Sequence, residues 1–303
     1  NALALSLNEG DFGRLFDYFR GYQDIKEGLI RVLHSLSLIE DPTRAFRAAR
    51  FAARLSFKIS KMTLALIDNA LKGGFFKNLH PRRVLTELRL IFEEPEALTA
   101  LERLNDLGLL SIIHPDIKLH KPQRDLLKQV IRVRDWFFLT FGSRSQLFWL
   151  VFLLALTENL SQEDLSKIID NLDSFKKAAK LAFSERPQIE MILNYYRRRL
   201  PVGEPKPSEI DKLLSPLSWP SVLFLMAKSP GETLDRAGAA YLSTYRRVKP
   251  LCGGADLLAL GLPSGPMIQK VLTKLREARL DGEITTLEDE RVLAQKYYLE
   301  LTG

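Results

Sequence analysis

The chain has 303 residues, with 44 lysines and arginines against 37 aspartates and glutamates, a net charge of +7. Its single cysteine, Cys252, rules out an internal disulfide framework and a cysteine-based zinc site, and the four histidines are too scattered to pair as metal ligands. The basic balance is compatible with a polyanionic partner, and the longest apolar run, ten residues at 147–156, falls short of the ~20 a bilayer-spanning helix requires.

Taken in chain order, the first residues read as strand. Leu3, Leu5 and Leu7 alternate with Ala4, Ser6 and Asn8, a period of two, and residues 30–32 look like a second short strand after the turn at Gly28. Between them, Asp17 and Asp24 flank Gly21 on a turn-rich stretch and read as structural or hinge groups. From about residue 40 the pattern is helical. Helices are predicted over 42–55, 61–72, 82–93, 95–107, 122–139, 145–159, 161–171, 174–183, 186–199, 208–215, 219–228, 231–247, 265–279 and 287–300. Ser161-x-x-Asp164 and Thr286-x-x-Asp289 resemble capping boxes with aspartate in place of glutamate. Breaks fall at Gly73-Gly74, at Gly108, around 115–122 and at 201–207; the last, rich in proline, is the best candidate for a flexible joint. The predicted fold class is mainly α, an elongated multi-helix array with a small β element at the N-terminus.

Residues 39–51 carry the most chemistry. Asp41 suits a helix cap and Pro42 the first helical position. Arg44, Arg47 and Arg50 then step by three and Arg54 follows by four. At about 100° per residue, Arg47, Arg50 and Arg54 share one narrow arc, with Arg44 at its edge. Four cations with no acid among them need an anionic partner, either a ligand or acidic residues elsewhere in the fold. Further basic clusters occur at Arg197-Arg198-Arg199, after Tyr195-Tyr196, and at Arg246-Arg247, after Tyr245. Each suits phosphate contact beside a stacking ring, or complements the dipole at a helix C-terminus. The loop from Gly261 to Gly265 leads through Pro266 into a helix, offering free backbone N–H groups. Glu288-Asp289-Glu290 reads as acidic residues at a helix start, not as a metal site.

Glu40-Asp41-x-x-Arg44-x-x-Arg47, running into Ala48-x-x-Phe51-Ala52-x-Arg54-Leu55, resembles the nucleotide-selecting motif of class II tRNA nucleotidyltransferases and bacterial poly(A) polymerases. Asn1-Ala2 is similar to the end of that family's Arg-Asp-Phe-Thr-x-Asn-Ala motif, the stretch from Asp17 to Asp24 to its hinge, and Arg82, Arg83 and Glu87 to its neck helix. Gly253-Gly254-x-Asp256-Leu257 through Gly265-Pro266 resembles its tail. Ser56 departs from the pattern, standing where the family usually has glycine.

The resemblance implies a head remnant at 1–38, a neck at 39–115, a body at 116–205 and a tRNA-binding tail at 206–303. It assigns Asp41 and Arg44 to the Watson–Crick edge of the incoming nucleotide, with Arg47 and Asn1 beside them, and Asp17, Gly21 and Asp24 to the hinge. RNA contacts are expected at Arg50, Arg197, Arg198, Arg246, Arg247, Gly261 and Gly265. The implied substrates are ATP, with CTP as the second candidate nucleotide, and tRNA or other RNA 3′ ends. Mg²⁺ would be held by an Asp-x-Asp pair on an upstream catalytic head, preceded by phosphoesterase and CBS modules in the long bacterial chains that this one resembles; no Asp-x-Asp occurs in these residues, and no metal site is assigned to this chain. The expectation is therefore a cytoplasmic, membrane-free fragment that binds but does not catalyse, with A addition modestly favoured over CC, CCA or poly(A) addition. The alternatives are a non-catalytic helical RNA-binding scaffold, which has no use for Asp41, and a helical protein-interaction array.

Overall fold

Alanine- and leucine-rich stretches broken by glycine and proline make this chain a succession of helices, in line with the mainly α expectation. The computed structural model describes residues 2–142, 147–199, 204–229 and 232–302. Asn1 and the first half of the 201–207 joint lie outside the described residues, so the nucleotide role expected of Asn1 has no geometry here. The chain divides into two compact units, residues 1–132 with 144–180, and residues 133–143 with 181–303. Within the first unit, helices on both sides of residue 116 share a core: Phe92 stacks on Phe152 at 5.4 Å, and the Arg89 guanidinium lies 5.4 Å from the Phe175 ring.

The first unit opens with β1 (Ala4–Leu5) antiparallel to β2 (Leu15–Phe16), Ala4 facing Phe16 and Leu5 facing Leu15. Helix α1 (Gly21–Glu27) follows, and then β3 (Leu29–Ile30), which pairs in parallel with β4 (Lys58–Ile59). Between those strands lie α2 (Ser37–Glu40) and α3 (Arg44–Arg54). The remaining helices are α4 (Lys61–Lys72), α5 (Pro81–Phe92), α6 (Ala97–Asp106), α7 (Lys121–Phe141), α8 (Trp149–Leu156), α9 (Gln162–Ile169) and α10 (Lys176–Ser184), with α7 and α10 continuing into the second unit.

Helix α3 is central. Its inner face is Ala45, Phe46, Ala48, Ala49, Ala52 and Ala53, all buried, and it packs on α6 through a row of small side chains that allows close approach. The apolar run at 147–156 is a core helix, as expected: every residue of α8 is buried. Ser161 accepts a hydrogen bond from the Asp164 N–H at 3.1 Å, so the serine half of the first expected capping box is in place, while the Asp164 carboxylate takes the Ser161 hydroxyl and not its N–H. By contrast the N-terminal hairpin leaves Leu5, Leu7, Phe12 and Tyr18 exposed.

The second unit contains α11 (Arg186–Arg199), α12 (Pro207–Leu214), α13 (Trp219–Lys228), α14 (Glu232–Ser243), α15 (Gly254–Ala259), α16 (Pro266–Leu280) and α17 (Leu287–Thr302). Gly238 brings α14 directly onto α13: a Cβ there would sit 2.5 Å from Cγ of Met226. A separate C-terminal core gathers Cys252, Leu257, Leu262, Val271, Leu275, Ala278, Ile284 and Ala294. Burial pushes the Cys252 thiol up from its ordinary pKa, and the nearby Glu290 carboxylate adds to that. Glu290 is fully buried and accepts from the N–H groups of Leu251 (3.0 Å) and Cys252 (2.7 Å) and from Arg279 Nη1 (2.9 Å).

Where α3 ends, Ser56 sits at φ 54°, in the left-handed region that follows many helices and that glycine occupies without penalty. The departure from glycine at this position therefore carries a backbone cost. Ser56→Gly is expected to raise stability by about 1 kcal/mol, read as an increase in the thermal unfolding midpoint.

Candidate functional site

The mouth of α3 is built from a turn that the local sequence dictates. Asp41 is extended (φ −147°, ψ 93°), Pro42 cannot donate, and the first helical bonds are tight ones, from Arg44 N–H to the Asp41 carbonyl (3.1 Å) and from Ala45 N–H to Pro42 (3.1 Å). Oδ1 of Asp41 accepts from the Thr43 N–H (3.0 Å) and hydroxyl (2.6 Å), a local turn just ahead of the helix, which starts at Arg44 with Thr43 as its cap and not at Pro42 with Asp41 as its cap, as expected. Oδ2 accepts from Arg83 Nη2 on α5 at 2.9 Å. Burial pulls the Asp41 pKa upward, but the Thr43 hydrogen bonds and the Arg83 charge outweigh it and hold the carboxyl below its ordinary value.

Arg44 donates from Nη1 to the Ser37 carbonyl (3.1 Å) and to Glu40 (3.3 Å), whose carboxylate is also 3.5 Å from His34 Nε2. No other donor of Arg44 is engaged among the described residues. Side-chain exposures of 25% for Asp41 and 40% for Arg44 show that the pair faces solvent at the helix entrance and is not sunk in the core. Arg83 and Glu40, which orient the pair, were not singled out as site residues by sequence reasoning; the Arg82-Arg83 doublet and the Glu40-Asp41 doublet were the only signals.

The other arginines of the row diverge. Arg47 is half-buried, 5.9 Å over the Phe51 ring, and forms no salt bridge among the described residues. Arg50, expected to touch RNA, turns inward: it is 11% exposed and lies 3.1 Å from Glu94 and 3.6 Å from Glu87. That expectation is corrected, because a guanidinium consumed by two nearly buried carboxylates offers nothing to a phosphate. Arg54 lies 3.8 Å from the same Glu94. Burial raises the pKa of Glu87, and Arg50 only partly offsets this. Acidic residues elsewhere in the fold thus supply much of the anionic partner that the row requires.

The expected hinge residues act locally. Asp17 accepts from the N–H groups of Gly21 (2.7 Å) and Tyr22 (3.0 Å), capping α1, and Asp24 pairs with Arg31 at 2.5 Å. Gly21 is buried against Ala2, whose Cβ lies 2.8 Å from where a side chain would start.

In the second unit, Arg197, Arg198, Arg246 and Arg247 are all exposed. Arg197 reaches Asn194 at 3.4 Å, and neither Arg246 nor Arg247 meets a carboxylate among the described residues. Tyr195 is half-buried but Tyr196 is 3% exposed, so only the former can serve as a stacking ring. Gly261 (φ 88°) and Gly265 (φ 123°) are exposed, with nothing within 4 Å of a Cβ built on either.

Among the described residues the carboxylates do not gather into a Mg²⁺ site. In the 288–290 run, Asp289 accepts from the Thr286 N–H (3.0 Å) and completes the second capping box, while Glu290 is consumed by the bonds described above. Among the described residues no group of three or more histidine, cysteine, aspartate or glutamate side chains is placed to hold a metal ion, and no helix is long and apolar enough to cross a membrane. A cleft of ≈ 490 Å³ in the first unit, walled by Leu71, Phe76, Val84, Leu85, Ile113 and His114, includes neither Asp41 nor Arg44.

Residues 56–120 match the family model described as the probable RNA and SrmB-binding site of polymerase A. The A-adding tRNA nucleotidyltransferase of Geobacter sulfurreducens is 39% identical over 97% of this chain and 34% of its own length. That of Aquifex aeolicus is 32% identical over 82% of this chain and 29% of its own length. The solved Thermotoga maritima CCA-adding enzyme complexed with tRNA superposes with a TM-score of 0.77 at 26% identity, covering 98% of this chain and 71% of that one. The chain belongs to the class II tRNA nucleotidyltransferase family. It spans about a third of the length of the first two relatives. Within this family the similarity extends through both compact units, since the structural match covers nearly the whole chain.

Because the Asp41 pKa is depressed in the folded state, its contribution to stability is complete above the ordinary value of 3.8 and is lost as pH falls through the lower folded value. Denaturation of wild type and Asp41→Asn across pH should show wild type the more stable at pH 6, with the gap closing under acid below that value.

Proposed function

We propose that this chain supplies the base-selecting and tRNA-gripping part of a tRNA 3′-end nucleotidyltransferase, with A addition the favoured activity. The observation that carries the reading is the solvent-facing Asp41–Arg44 pair at the entrance of α3, each oriented by bonds that use only part of its capacity. A carboxylate has about four acceptor positions and a guanidinium five donors in a planar fork. Adenine and cytosine both present an exocyclic amine beside a ring-nitrogen acceptor; guanine and uracil present a carbonyl beside a ring N–H. Asp41 accepts from the amine and Arg44 donates to the ring nitrogen, so the pair admits the first two bases and meets the others with like against like. The preference for A addition rests on the names of the relatives, not on this pair.

In this reading Arg197, Arg198, Arg246 and Arg247 contact the RNA backbone, which gives recognition by charge and shape. The exposed apolar side chains of the N-terminal hairpin are covered by the rest of the catalytic head. A Mg²⁺ ion would be held by the head, outside these residues, and would supply positive charge for the chemistry at the primer hydroxyl and the leaving pyrophosphate. The residues of this chain bind and orient; they do not hold the metal.

Two measurements test this. In the full-length protein, Arg44→Ala should reduce the preference for ATP over UTP and GTP by roughly 5–150-fold, the worth of one paired edge contact, while tRNA affinity stays near wild type. An effect on RNA affinity alone would favour the scaffold reading. The 303-residue chain by itself should bind tRNA with a steep salt dependence and incorporate no nucleotide; incorporation with Mg²⁺ and ATP would overturn the division between binding and chemistry.

A further inference from the structure

Beside the Arg279–Glu290 contact, the second unit holds another nearly buried ionic contact that the sequence does not advertise. Arg276, on α16, makes a two-pronged contact with Asp211 on α12, one prong being Nη2 to Oδ1 at 2.6 Å, and the Asp211 side chain is only 6% exposed. The same guanidinium also reaches two backbone carbonyls: Nε donates to Val248 (3.0 Å) and Nη2 to Tyr245 (3.2 Å). Those carbonyls bracket a single turn. The Val248 N–H closes it by donating to Tyr245 at 3.0 Å, and the two residues between are Arg246 and Arg247.

An arginine that merely neutralised a buried aspartate would need only the paired edge of its fork. Here two of the three remaining donors go to the two ends of a short loop whose inner residues are exposed cations without a carboxylate partner among the described residues. A turn of three 3-10 residues has weak hydrogen bonds of its own and frays when unsupported. Lysine could pair with Asp211 but, as a point charge, could not also span two carbonyls in fixed directions.

We propose that Arg276 is a positioning residue for RNA binding: its guanidinium staples the Tyr245–Val248 turn and holds Arg246 and Arg247 out as a preorganised phosphate clamp. This rests on the reading of the second unit as RNA-gripping. Preorganisation matters because each side chain ordered on binding costs conformational freedom, and a turn already fixed loses less.

The test is a cycle on the 303-residue chain, following binding of fluorescently labelled tRNA by anisotropy from 50 to 300 mM salt, with circular dichroism and thermal melting to confirm folding. Arg246→Ala with Arg247→Ala should lower the slope of log K against log salt by roughly 1.4–1.8, two phosphate contacts at about 0.7–0.9 each. Arg276→Lys, which removes neither clamp residue and changes no charge, should lower the slope by roughly one or more, and adding it to the double alanine variant should cost nothing further. If Arg276→Lys unfolds the unit, Arg276→Met with Asp211→Leu replaces the whole pair by apolar side chains and is read in the same way. A wild-type slope in the folded Arg276 variant, or losses that add in the triple variant, would overturn the staple alone. Absence of salt-dependent binding by wild type would instead remove the RNA reading of this unit, and the staple with it.

Discussion

The base selection proposed for the first unit depends on how one carboxylate is held. Asp41 stands where the chain leaves α2 and enters α3, and its two oxygens face different tasks. One is occupied by Thr43 two residues on and fixes the entrance of the helix; the other takes Arg83 from α5 and ties that entrance to a second helix. A surface aspartate free to rotate would present no defined edge to a base. Bound at both oxygens, it keeps one orientation while a quarter of its side chain still faces water. The cost of half-burying the charge is offset by the bonds that hold it, which is why the carboxyl stays ionised below its ordinary range.

The arginine row shows the same chemistry pointing two ways. With alanines buried between them, residues 44, 47, 50 and 54 sit on the rim of one helix, yet their surroundings differ by position along it. Near the N-terminus Arg44 leans on a half-exposed glutamate and a carbonyl and keeps donors to spare. Two turns later Arg50 is drawn between Glu87 and Glu94, and both of those acids are nearly buried, so withdrawing it would strand two charges in a low-dielectric site. Placing that arginine inside the fold is what lets α5 lie against α3, and with α5 comes Arg83. The structural arginine and the one proposed to read a base are thus parts of a single packing solution.

Much of this was legible in the residues. The bounds of α4, α11 and α13 follow the periodicity and the flanking signals to the residue, and the two serine and threonine caps behave as their spacing suggests. The short helices α1, α2 and α15 were not, because four to seven residues hold too few turns to show a period. Non-local pairing was invisible for a different reason. Leu29 against Lys58 across 29 positions, and Arg276 against Asp211 across 65, have no spacing rule that sequence could reveal. The same limit explains Arg50: the pattern placed it on an arc of cations, but only the tertiary approach of α5 decided that the arc closes on itself at that point. Tyr196 was lost likewise, since a ring beside arginines reads as a platform until its helix is seen to bury it.

The lone sulfhydryl in the C-terminal core gives the chain an intrinsic reporter. Cys252 is 1% exposed, its thiol is shifted toward the protonated, unreactive form, and the backbone on either side is pinned through Glu290. Alkylating reagents can reach it only when that core opens. The rate of labelling, with no engineered probe and no competing site, therefore measures how often the last two helices part company while the rest of the molecule remains folded.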